Sequence, residues 1–167
     1  MLADKEIQKA LQDFAKYVIQ QSRSNLTKGD KNASKELYNS LDSDVKKTNK
    51  GYNLSFEMED YGKFQDKGVS GTKKKYNTPY KYTNKMPPPS KLDKWIVRKG
   101  IAPRNKGKFL TRKSIQFAIA KSIYTKGIKP SLFFTKPFER AFKRLPDELV
   151  EAYAIGIEKQ IQVNINK

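Results

Sequence analysis

At the start of the chain the apolar residues Ile7, Ala10, Leu11, Phe14, Tyr17 and Val18 follow the i, i+3, i+4, i+7 spacing of one helical face. That spacing predicts an amphipathic helix over residues 4–24, broken by the polar stretch 27–32 with its Gly29 and Asp30. Residues 33–41 are expected to form a short helical turn. The period then changes. Tyr52, Leu54, Phe56 and Met58 alternate with Asn53, Ser55, Glu57 and Glu59, the two-residue repeat of a strand with one buried face. Asn49, Lys50 and Gly51 supply a turn ahead of it. Residues 42–48 are therefore the natural antiparallel partner in a hairpin, with Val45 its clearest inward residue.

Between residues 61 and 89 no regular period survives. Gly, Pro, Tyr and Lys dominate, with the run Lys73, Lys74, Lys75 and the triplet Pro87, Pro88, Pro89. A loop of this length in a compact domain is commonly functional or ordered by a partner, so residues 63–89 are the candidate contact arm. Order is expected to resume at Ser90, read as an N-cap with Asp93 three positions on, ahead of Leu92, Trp95 and Ile96 on one face and a stop at Gly100. After a further basic loop, Thr111 is placed to cap a helix carrying Ile115, Ala118, Ile119 and Ile123 into the core and ending at Gly127. Pro137 suits the first turn of a helix bearing Phe138, Ala141, Phe142 and Leu145, which Pro146 kinks or restarts. A last helix sets Val150, Tyr153, Ala154, Ile157 and Ile161 on one face, fraying near Val163. The elements together describe an α+β domain over residues 1–167: a small antiparallel sheet packed by several helices, with a long basic loop or arm.

Composition narrows what such a domain does. The chain has neither Cys nor His. That removes thiolate zinc sites, disulfides, the commonest general base and the commonest nitrogen ligand for a metal. No apolar run is long enough to span a bilayer, and the acidic, amphipathic start is unlike a signal peptide, so a soluble protein made in the cytosol is expected, without membrane contact. The net charge is +18, and residues 63–126 hold 18 Lys or Arg against only Asp66 and Asp93. Such an excess favours anionic partners, nucleic acid or acidic protein. Lys outnumbers Arg 29 to 6. That imbalance suits diffuse phosphate attraction better than bidentate base readout, and it is also what solvated surface lysines in an AT-rich coding sequence would give.

Candidate chemistry is sparse. Glu57 and Glu59 share one face of the strand and Asp60 follows, a carboxylate group that a metal-dependent nuclease would use; the same residues are the solvent-facing positions of an alternating strand, which is the preferred reading, with no catalytic residue, metal or cofactor assigned. Gly68 and Gly71 do not lie between a clear strand and helix, so no nucleotide loop is read there. Lys73, Lys74 and Lys75 followed by Tyr76, Tyr80 and Tyr82 interleave cations with rings, a pattern that serves nucleic acid or a protein partner. The protein reading is preferred. Phe133 and Phe134 are core or loop anchors first and a subunit interface second, and they complete the candidate contact residues.

The order of segments resembles the tail-completion, or head-to-tail joining (neck), proteins of tailed bacteriophages. The likeness is carried by residues 33–41, where Ala33 and Ser34 lead to Leu37 and then Ser40 and Leu41, and by the aromatic, acidic and Gly stretch from Tyr61 and Phe64 to Asp66 and Gly68. It continues in the Pro-Phe element Lys136, Pro137, Phe138 and Ala141, or alternatively Pro130 with Phe133 and Phe134, and in the Pro-rich, Trp95-containing segment before Gly100 together with residues 118–129. The acidic-aromatic-Gly-Thr run usual in that family is altered here to Asp66, Lys67, Gly68 and Val69. The resemblance implies a non-enzymatic virion protein at the neck, assembled as a homo-oligomeric ring against portal, adaptor or tail proteins, with non-specific contact to packaged DNA where the basic face meets the channel. The alternative function is a non-specific nucleic-acid-binding protein.

Overall fold

The computed structural model describes residues 2–49 and 51–165. Among them the chain runs α1 (Leu2–Lys28), α2 (Glu36–Ser40), β1 (Asp42–Thr48), β2 (Gly51–Glu57), α3 (Gly62–Lys67), β3 (Val69–Ser70), a 3-10 turn (Pro89–Leu92), α4 (Asp93–Arg98), β4 (Arg104–Asn105), β5 (Lys108–Phe109), α5 (Arg112–Lys126), β6 (Gly127–Ile128), α6 (Thr135–Phe142) and α7 (Leu145–Ile165). The strands form three separate antiparallel pairs, β1 with β2, β3 with β6 and β4 with β5, so the class is α+β with small two-stranded sheets. Lys50 of the expected turn, and the side chains of Ile161 and Val163, lie outside the described residues. Where the sequence was read as a single domain, the backbone divides into two compact units: residues 1–28, 40–59 and 133–167, and residues 29–39 and 60–132.

The first unit is built on α1. Its face carries Leu11, Phe14 and Val18 into a core with Ala141 and Leu145, against which Val45, Leu54 and Phe56 of the hairpin and Phe134 and Phe138 pack. Register puts Val45 opposite Leu54 and Ser43 opposite Phe56, the pairing that the alternation required. Phe14, Phe56, Phe134 and Phe138 meet edge to face at centroid separations of 5.2 to 6.3 Å, the arrangement that ring quadrupoles favour. At one end, Lys47 Nζ lies 2.8 Å from Asp4 Oδ2, and the Tyr52 hydroxyl donates to the Asp4 carbonyl at 2.8 Å.

α1 continues past the expected stop to Lys28. The extra turn is held because Leu26 is fully buried, Arg23 Nη2 donates to the Leu41 carbonyl at 2.9 Å and Asn25 Nδ2 to the Phe133 carbonyl at 3.1 Å. Ser22, buried inside the helix, is satisfied by donating to the Val18 carbonyl at 2.7 Å.

α7 corrects the sequence reading more sharply. Its buried residues are Leu145, Ala152 and Gly156, with Leu149 partly buried, whereas Val150, Tyr153, Ala154 and Ile157 are exposed. Both sets repeat at helical spacing, and the sequence argument chose the larger side chains. The set that packs, at i, i+4, i+7 and i+11, includes Ala and Gly, small residues that permit close approach to α1.

In the second unit Leu37, Val69, Ile96, Ile115 and Ala120 are buried. Ser90 is not an N-cap: it lies inside the 3-10 turn, and α4 starts at Asp93 with no side-chain cap. Trp95 is exposed while Ile96 is buried, so they do not share the inward face; Ala118, assigned to the core by periodicity, is exposed as well. Gly100, at φ +61°, closes α4 with its N–H donating to the Val97 carbonyl and the Ile101 N–H reaching back to Ile96, a Schellman ending. Thr111 caps α5, its side chain accepting from the Ser114 N–H, and Gly127 ends that helix, both as the sequence implied.

Candidate functional site

The division into units sorts the charge. Residues 29–39 and 60–132 hold 21 of the 35 basic and 5 of the 17 acidic residues, a net +16, leaving the first unit near neutral at +2. Any attraction for an anionic partner therefore resides on the second unit.

The long loop after β3 is folded onto that unit by specific bonds. The N–H groups of Thr72, Lys73 and Lys74 donate to the carbonyls of Tyr124 and Thr125 at 2.9 to 3.2 Å, satisfying last-turn carbonyls of α5 that lack partners within the helix. Lys73, Lys74 and Lys75 thus stand at the negative end of a helix, where cations are favoured whatever else they bind. All three are exposed. Lys75 Nζ donates to the Gly71 carbonyl at 3.1 Å, and Lys74 Nζ lies 5.5 Å from the centre of the Tyr76 ring. Further on, Ser70 bridges Lys81 in parallel, its N–H donating to the Tyr80 carbonyl and its carbonyl accepting from the Tyr82 N–H.

The tyrosines are half-buried and engaged. Tyr76 exchanges two bonds with the Ser70 hydroxyl, Tyr80 meets Phe64 edge to face at 4.7 Å, and Tyr82 lies 6.3 Å from Tyr124, whose hydroxyl donates to the Thr83 carbonyl. Burial pushes the Tyr82 hydroxyl above its ordinary pKa. These rings serve to pack the loop, which is the opposite of the splayed platform that base stacking needs. Tyr80 and Tyr82 instead form one wall of a groove of about 460 Å³ whose other sides are Tyr61, Phe64, Val69 and Ile128. Phe133 is 1% exposed and Phe134 sits in the aromatic cluster, so both belong to the core of the first unit and leave the contact set.

The structure adds features that the sequence reading passed over. Residues 101–110, read as basic loop, contain the hairpin β4–β5, turned by Lys106 and Gly107 at φ 50° and 81°. Two successive positive φ angles are the requirement of a tight primed turn, and Gly107 beside Asn105 and Lys108 was the available signal. Every residue of this hairpin is exposed, and the Arg104 guanidinium covers the Phe109 ring at 4.2 Å. Glu57, Glu59 and Asp60 remain on the surface, and among the described residues no three Asp or Glu side chains converge as a metal site would require. Also among them, no helix is long and apolar enough to cross a membrane.

No protein-family model, curated protein or solved structure matches the chain.

Proposed function

We propose that the chain is a structural subunit of a tailed-phage particle, a ring-forming head-to-tail connector or tail-completion protein of the neck, acting by docking and not by catalysis. The observation that carries this reading is the number of large apolar side chains left uncovered on both units: Val150, Tyr153 and Ile157 on one, and Trp95, Val97, Phe109 and Phe117 on the other. Such residues are what other subunits cover in an assembly. The segment resemblance supplies the type of assembly. Portal, adaptor or tail proteins would adjoin the ring, and the basic unit would seat on an acidic neighbour or lie near the exiting DNA.

The test is mass spectrometry of purified virions with localised cryo-electron microscopy averaging at the neck. A ring of this chain there would support the reading, and absence of the chain from particles would overturn it. The charge of +16 on one unit favours a second reading, non-specific nucleic-acid binding. It requires that the isolated chain bind DNA or RNA with an affinity that falls steeply with salt.

A further inference from the structure

We infer that α5 of one copy packs against α7 of the next, making the two helices opposite halves of a head-to-tail interface. The inference rests on the ring reading for its context but on separate observations for its content. From Leu145 to Glu158, α7 carries Asp147, Glu148, Glu151 and Glu158 and no basic residue. Its outward stripe is Val150, Tyr153 and Ile157, exposed by 71, 53 and 38%. α5 is the inverse, with Arg112, Lys113, Lys121 and Lys126 and no acid; Lys113, Phe117 and Lys121 form an exposed i, i+4, i+8 stripe in which Phe117 is 54% exposed.

The spacing fits as well as the sign. At ~1.5 Å rise per residue, Lys113 and Lys121 stand ~12 Å apart along α5, and Glu151 and Glu158 ~10.5 Å apart along α7. Phe117 between the two lysines therefore faces the apolar residues between the two glutamates, and the exposed Ala118 beside it leaves room for a second helix. Each stripe also opposes pairing with itself, since acid would meet acid and base would meet base. An isologous dimer through either helix is disfavoured, and the two faces are complementary only between different copies in one direction, the relation that generates rings or filaments. A single helix-on-helix contact lies at the small end of stable interfaces, so the isolated junction should be weak.

The test is sedimentation velocity of the full chain over a range of concentration and salt, alone and as two variants, Tyr153→Lys and Phe117→Lys. Both positions are exposed, and an unchanged melting curve checks that each variant folds. The wild type should associate progressively with concentration, with at least about a tenfold loss of affinity between 0.05 and 0.5 M salt. Each variant alone should remain monomeric, and their mixture should form a 1:1 dimer that grows no further, because one junction is intact and the other is doubly altered. A monomeric wild type at all concentrations, a wild-type dimer that never grows, or variants that associate as the wild type does would each overturn the interface. Detection in virions is read independently, so loss of this inference leaves the neck reading standing and the reverse holds too.

Discussion

The amide nitrogen of Gly127 stands 2.5 Å from where a β-carbon on Gly71 would sit, and the relation is mutual. This close approach is where β3 and β6 pair and where the basic loop meets the end of α5. Gly71 has ordinary negative-side backbone angles, so its requirement is one of space alone, whereas Gly107 has φ +81° and open space around it. Gly71→Ala should therefore destabilise by about 2 kcal/mol or more through backbone overpacking, and Gly107→Ala by only about 1 kcal/mol through the left-handed angle. Thermal melts of the two variants decide it, and a Gly71→Ala protein that melts no lower than Gly107→Ala would show that the approach is not tight.

Ser90 and Thr111 both look like helix caps in the sequence, yet only Thr111 acts as one. Thr111→Ala should lose about 1 kcal/mol, the usual worth of a side-chain cap, and Ser90→Ala should be neutral within about 0.5 kcal/mol. Urea titration of both variants is the measurement. Equal losses would mean that Ser90 caps in solution.

That pair also shows where sequence reasoning reaches. The hairpin β1–β2 was legible to its register because a two-residue period with one buried face has a single consistent pairing. Thr111 was legible because a helix with a clear apolar stripe follows it immediately. Ser90 misled because Pro89 begins a 3-10 turn that absorbs the cap position. In α7, two stripes of equal period competed, and only the packed helices reveal that the small residues Ala152 and Gly156 face inward. Of the candidate contact residues, the position of Lys73 to Lys75 at the C-terminus of α5 depended on a contact between residues some fifty apart in sequence. No local pattern encodes that.

Phe14 joins the hairpin to α6 through Phe56 and Phe138, with centroids 6.3 and 5.8 Å away, and is 4% exposed. Phe142 stacks on Phe138 at 5.7 Å but is 54% exposed. Phe14→Ala should cost about 3–5 kcal/mol, the range for emptying a buried aromatic site, and Phe142→Ala less than about 1 kcal/mol. Denaturant unfolding distinguishes them. A small loss at Phe14 would mean that the four-ring cluster can collapse around the gap.

The contact between Asp4, Lys47 and Tyr52 gives a pH dependence with a definite sign. The hydrogen bond and charge of Lys47 hold the Asp4 carboxyl below its ordinary pKa, and Asp4 in turn holds the Lys47 ammonium above its own. Burial, followed by the Asp4 charge, raises the Tyr52 hydroxyl. A depressed acid stabilises the fold above the unfolded value, ~3.9, and loses that contribution as pH falls through the lower folded value. The raised Lys and Tyr contribute fully below their unfolded values, ~10, and lose it as pH rises through the higher folded ones. Tethering of the hairpin to α1 should therefore hold from about pH 5 to 9 and weaken at both extremes. Because Asp4 and Lys47 are solvent-accessible, the acid-side effect should be small and should shrink in high salt. Hydrogen exchange at the amides of β1 and β2, followed against pH in the parent and in Asp4→Asn, measures it: the substitution should remove the acid-side loosening attributable to this contact, and an identical acid profile in both proteins would show that Asp4 does not tether the hairpin.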